Sequence, residues 1–145
     1  MLNIGIVGVG AISQKAYLPV MRSIGNVKWY MCTRNQEVLN RESKLLGRCI
    51  PCNTIEELLQ FPLDGVFIHV STNAHFEVAK QFLEKGIPVY IDKPVAPSYE
   101  KTLELYQVAK KHDTFIMAGF NRRFAPKVEV LKSVEDKKRI IAEKN

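Results

Sequence analysis

Gly8-Val9-Gly10-Ala11-Ile12-Ser13 is the stretch of this sequence whose residue types and spacing point most directly to chemistry. It follows a β-rich run, Leu2–Val7, and opens a stretch of helical periodicity that begins at Ile12. A glycine at position 8 permits a tight turn. One at position 10 leaves the backbone bare, so that a diphosphate can approach the free N–H groups and the positive end of a helix. Ala11 and Ile12 would present those amides. Ser13 stands where a third glycine lets helix and strand pack closely, and its side chain is small enough to cost little there. The plainer reading is a glycine-rich turn without a ligand.

If a dinucleotide sits on that turn, the end of the second strand reads its adenosine ribose. An acidic residue there would hydrogen-bond a 2′-hydroxyl and repel a 2′-phosphate. This sequence has Cys32-Thr33-Arg34 instead, and the first carboxylate is Glu37, already in the next helix. A hydroxyl and a planar cation suit a phosphate, which favours NADP(H) over NAD(H), with NAD left open. The alternative for Arg34 is an ordinary surface arginine.

Three more polar turns follow later strands. Ser71, Thr72, Asn73 and His75 come after the apolar run at residues 65–70, at the carboxyl end of a central strand, where ligands bind in parallel sheets. His75 either touches a ligand there or sits in the first turn of its helix, and His69 reads as a satisfied core histidine. Asp92-Lys93-Pro94 follows the fifth strand, where a lysine can polarise a carbonyl or carry a proton. A surface turn would also explain that tripeptide. Asn121 and Arg122, within Gly119-Phe120-Asn121-Arg122-Arg123-Phe124, offer an amide and a guanidinium to anionic groups; a basic surface turn is the other possibility.

The elements that must hold these turns alternate between short apolar runs and amphipathic stretches. Strands are expected at residues 2–7, 27–32, 49–50, 65–70, 88–91 and 114–118. A first helix over residues 12–23 would bury Ile12, Ala16, Pro19 and Val20 and be kinked or shortened at Pro19. Asn35 reads as the cap of a helix through Leu46, and Thr54 opens a short one. Residues 73–85 pack Phe76, Ala79, Phe82 and Leu83 inward and stop at Gly86. Residues 98–112 would bury Leu103, Tyr106, Val108 and Ala109. Such alternation with short connections predicts an α/β fold, a doubly wound parallel sheet of the Rossmann kind with strand order 3-2-1-4-5-6.

Composition narrows the classes further. At 145 residues and 46% hydrophobic, the chain can bury the core of one domain. No apolar run approaches the roughly 20 residues of a membrane helix, and Met1–Gly10 enters a strand directly without the features of a signal peptide. A cytoplasmic protein is therefore expected. Cys49 and Cys52 match C-x-x-C, but no helix follows the first thiol to lower its pKa and no second Cys or His pair completes a zinc site, so no metal is expected. Ordinary, partly buried cysteines are expected. Of the net charge of +6, +4 lies in residues 122–145 and so forms no stripe along the body. Nucleic acid is not an expected partner.

Gly8-Val9-Gly10, Asn73-Ala74-His75, Asp92-Lys93-Pro94 and Gly119–Phe124 occur in the order and spacing of one family. The chain resembles the glucose–fructose oxidoreductase, inositol dehydrogenase and rhizopine-catabolism (Gfo/Idh/MocA) family along essentially its whole length. Gln14–Val20 and the Asn-Arg-Arg-Phe-Ala-Pro run make it most similar to that family's virulence-factor-like branch. The resemblance implies an NAD(P)-dependent oxidoreductase acting on a sugar-like or polyol alcohol or ketone. Lys93 would be its catalytic lysine, beside the nicotinamide. Gly8, Gly10, Ala11 and Ile12 would carry the pyrophosphate, and Thr33 and Arg34 would face the adenosine ribose. Ser71, Thr72, Asn73, His75 and Asp92 would line the crevice, with Asn121 and Arg122 near the nicotinamide or substrate.

Members of the family are more than twice as long, and their second domain supplies the substrate pocket with an Asp and a His that complete the catalytic set. Residues 1–124 would thus be the dinucleotide-binding domain. Residues 125–145 would be a helix and first strand leading into an absent substrate domain. On that expectation the fragment binds cofactor without turning over substrate, and apolar surface left uncovered promotes self-association. The competing reading is a non-catalytic nucleotide-sensing or partner-binding domain.

Overall fold

The computed structural model describes residues 1–126 together with Val128 and Val130. The helix and strand expected within 125–145 therefore lie almost wholly outside the described residues.

Six parallel strands, β1 (Leu2–Val7), β2 (Val27–Cys32), β3 (Cys49–Cys52), β4 (Gly65–Ile68), β5 (Val89–Ile91) and β6 (Ile116–Ala118), form one sheet in the order β3-β2-β1-β4-β5-β6. Because both faces of the central strands are covered, these segments read as nearly unbroken apolar runs. Ile6, Trp29 and Met31 point to one face and pack with Leu18, Met21, Leu39 and Leu46. Val7, Val66, Ile68, Val89 and Ile91 point to the other, against Phe76, Ala79, Phe82, Leu83 and Leu105. The third strand runs two residues longer than the sequence pattern indicates, and the fourth ends at Ile68, leaving His69 and Val70 as its exit.

The helices are α1 (Leu18–Met21), α2 (Gln36–Leu46), α3 (Ile55–Leu58), α4 (Thr72–Leu83) and α5 (Tyr99–Lys111). Asn35 caps α2 by accepting from the Val38 N–H at 3.0 Å. Thr54 caps α3 through the Glu57 N–H at 3.1 Å, while the Glu57 carboxylate reaches back to the Asn53 N–H at 2.7 Å. Gly86, with φ +71°, ends the α4 region.

The first helix departs from the expected geometry. Helical backbone runs from 11 to 21, but Ser13–Tyr17 forms a π turn in which the Leu18 N–H donates to the Ser13 carbonyl. Pro19 explains it. Its ring has no N–H and crowds the carbonyl four residues back, so the ladder takes up an extra residue just before it instead of kinking. That residue sets a five-residue step from Ser13 to Leu18 on the buried face. Ile12, Ala16, Pro19 and Val20 face solvent, and Ser13, Leu18 and Met21 are buried in their place. On α5 the buried residues are Leu105 and Ala109, with Val108 partly buried, whereas Leu103 and Tyr106 are exposed.

Candidate dinucleotide site

The turn after β1 is built for close approach. Gly8 has φ +89°, and a Cβ there would stand 2.8 Å from the His69 carbonyl carbon and oxygen. Only glycine fits. Its N–H donates to the Cys32 carbonyl at 2.9 Å, which joins the turn to the end of β2. Gly10 is the opposite case: a Cβ there would meet nothing within 4 Å, so its missing side chain leaves open space above the backbone. The first N–H groups of the helix that follows have no partner inside the helix, and the dipole makes that end positive. The turn is braced from below by side chains. Gln14 donates to the Val9 carbonyl at 3.0 Å and accepts from Arg41 at 3.0 Å. Arg41 and Arg22 both pair with the buried Glu42 at 2.9 Å. Ser13 is buried, and its hydroxyl has no hydrogen-bond partner.

Above the turn lies a cavity of about 710 Å³. Gly8, Gly10, Thr33, Arg34 and Ser71 line it, so the structure brings together residues from the ends of β1, β2 and β4. Arg34 is exposed and, among the described residues, has no ion-pair partner. Thr33 accepts weakly from the Val9 N–H at 3.4 Å. Ser71 precedes α4 with its hydroxyl unspent on capping. The far wall, Asn53, Thr54, Ile55 and Glu56, escaped the reading of the sequence. The only signal there was the Thr54 cap, which places the start of α3 at the carboxyl end of β3.

The remaining expected site residues lie outside the cavity lining. Ala11 and Ile12 are exposed on the first turn of their helix. Thr72 and Asn73 open α4. Asn121 and Arg122 are exposed in a short 3₁₀ turn, Asn121–Phe124. His75 is 1% exposed, and both ring nitrogens stand against backbone carbonyls: Nδ1 at 2.7 Å from Pro94 and Nε2 at 3.1 Å from Val70. It ties the exit of β4 to the exit of β5 and has no free edge for a ligand.

Lys93 is exposed just past β5, joined to Pro94 by a cis peptide bond. Asp92, half-buried beside it, is held from two sides. His69 Nδ1 lies 2.9 Å from one carboxylate oxygen and the Tyr17 hydroxyl 2.8 Å from the other. Burial alone would raise the Asp92 pKa, but the His69 and Tyr17 hydrogen bonds outweigh it and hold the carboxyl below its ordinary value. Burial and its bonds to Tyr90 and Asp92 push the Tyr17 hydroxyl far above the usual phenol range. His69 is buried as expected but only half satisfied, because Nε2 has no partner.

A family model described as an oxidoreductase family with an NAD-binding Rossmann fold matches residues 2–120. The chain belongs to the Gfo/Idh/MocA oxidoreductase family. Among Gfo/Idh/MocA relatives, the oxidoreductase YceM of Salmonella typhimurium is 37% identical over 136 residues, covering 91% of this chain and 43% of its own. The crystal structure of a Gfo/Idh/MocA oxidoreductase from Vibrio cholerae superposes with a TM-score of 0.86 at 38% identity, over 91% of this chain and 43% of that one. KijD10, a 3-ketoreductase from Actinomadura kijaniata solved with NADP and TDP-benzene, shares the fold with a TM-score of 0.83 at 20% identity, over 90% of this chain and 40% of its own. The chain thus spans less than half the length of these Gfo/Idh/MocA proteins. Among its described residues no helix is long and apolar enough to cross a membrane.

Proposed function

We propose that the cavity over the Gly8–Ile12 turn binds NADP(H) in preference to NAD(H). The observation that carries this reading is the meeting of an unobstructed glycine backbone at a helix start with Arg34 at the end of β2, a cation with no ion-pair partner among the described residues. The residues fit the group. Gly10 leaves room for the diphosphate, Thr33 and Arg34 offer a hydroxyl and a cation suited to a 2′-phosphate, and the volume is in the range of small-molecule sites, roughly 300–1,000 Å³.

When bound, the coenzyme supplies hydride chemistry. The amides of Gly10, Ala11 and Ile12 would hold its diphosphate, and Ser71 would line its crevice. Lys93, at the end of β5, carries a proton to or from the substrate oxygen. In a protein of the relatives' full length, the substrate would be a sugar-like or polyol alcohol or ketone, held by a second domain. Positioning supplies much of an enzyme's rate, so this chain alone should bind coenzyme without turnover. The exposed Phe115, Met117, Phe120 and Phe124 side chains support self-association of the chain. The free thiols fit the reducing cytoplasm.

A fluorescence titration with NADPH and NADH tests the reading. NADPH should bind at least tenfold more tightly, and Arg34→Ala should close most of that gap, a difference of about 1.4 kcal/mol. Binding of neither coenzyme at millimolar concentration would overturn it.

A further inference from the structure

Lys93 has no hydrogen-bond or ion-pair partner among the described residues, so its direction is set by the backbone that carries it. That backbone is anchored through its neighbour. Asp92 continues the face of Tyr90 past the end of β5. There it meets Tyr17 from the π turn at 2.8 Å and His69 from the exit of β4 at 2.9 Å. The Tyr17 and Tyr90 hydroxyls are 3.0 Å apart. An ionised carboxylate only accepts, so the donors have one consistent order: Tyr90 donates to Tyr17, Tyr17 to Asp92, and His69 Nδ1–H to the other oxygen of Asp92. The ring of Tyr17 packs on that of His69 with centroids 4.2 Å apart, and Tyr90 is pressed against Gly119, where a Cβ would meet its hydroxyl at 2.7 Å. Tyr17 reaches Asp92 because the π turn before Pro19 carries an extra residue; such insertions in helices cluster at functional sites.

We propose that Tyr17 and His69 are positioning residues: through the Asp92 carboxylate they fix the direction in which Lys93 leaves β5 and so shape the nicotinamide end of the site. The proposal rests on the coenzyme reading above and adds two residues to it. Tyr17 stands outside the cavity lining, and His69, which borders it, keeps its side chain 1% exposed and turned to Asp92. They act on the lysine turn alone, so their loss should be felt by a ligand that has a nicotinamide and not by one that lacks it.

The test compares NADPH with 2′-phospho-ADP-ribose, which keeps the adenosine, the 2′-phosphate and the diphosphate, by calorimetry on the full chain. The unaltered protein should bind NADPH more tightly than 2′-phospho-ADP-ribose. Tyr17→Phe removes one charge-assisted hydrogen bond and should weaken NADPH about fivefold while leaving 2′-phospho-ADP-ribose within twofold. His69→Leu should do the same. His69→Asn, whose amide can donate near the position of Nδ1, should restore at least half of the loss, which a merely space-filling role for His69 would not allow. These two variants decide the matter if Tyr17→Phe fails to fold. Equal weakening of both ligands, or no change in either, overturns the proposal and leaves the coenzyme reading standing. If the unaltered protein binds neither ligand, it is the coenzyme reading that falls.

Discussion

Alanine at Gly8 and alanine at Gly10 should have opposite consequences. At Gly8 the backbone is left-handed, φ +89°, which costs an L-residue roughly 1–2 kcal/mol. The added carbon would also stand 2.8 Å from the His69 backbone and 2.9 Å from Val70 Cγ1. Those contacts are too short to keep, and forcing the β4 exit aside adds about 1–3 kcal/mol. The sum, about 2–5 kcal/mol, is a large part of a domain's stability and should lower the melting temperature on the order of 10 °C. At Gly10 the added carbon touches nothing within 4 Å, so stability should change by less than about 0.5 kcal/mol. The methyl group would instead occupy the space through which a diphosphate reaches the amides, and affinity for NADPH should fall at least about tenfold, or 1.4 kcal/mol. Thermal unfolding followed by circular dichroism, with a fluorescence titration of each variant, separates the two. A Gly10→Ala protein that folds normally and binds NADPH like the parent would contradict this role for Gly10.

Two further outcomes follow from the same geometry. Because the Asp92 pKa is lowered in the folded protein, its ionised form adds stability above the ordinary carboxylate pKa of about 3.9, and this is lost as pH falls through the lower folded value. Asp92→Asn should therefore cost about 2 kcal/mol at pH 7, and in urea melts the gap to the parent should shrink below about pH 4; a constant gap down to pH 2 would contradict it. The three free cysteines should be inert in the folded state. Burial pushes Cys32 and Cys52 up to about 11 and Cys49 up to about 12, so at pH 8 a disulfide reagent should label them far more slowly than in urea. Fast labelling of the native protein would count against that.

The strands and the glycine turn were legible because they depend on local rules, and the sheet order followed from the alternation of strands and helices. Strands buried on both faces must be apolar throughout, and a bare backbone at a helix start must be glycine. The first helix misled for a physical reason. Ile12, Ala16, Pro19 and Val20 keep a regular helical period, but the buried face is Ser13, Leu18 and Met21, whose five-residue first step the π turn before Pro19 creates. On α5, Leu103 and Leu105 are both apolar, and only packing decides that Leu105 is the buried one. His75 was ambiguous because its partners, Val70 and Pro94, are settled by the approach of two strand exits. The link from Tyr17 to Asp92 spans 75 residues, and no local pattern encodes it.

The most direct measurement of the central claim is an amide chemical-shift titration of isotope-labelled protein with NADP. The largest shifts are expected at Gly10, Ala11 and Ile12, with a second group at Thr33 and Arg34 that weakens when NAD replaces NADP. Shifts confined to other surfaces, or none at saturating coenzyme, would contradict it.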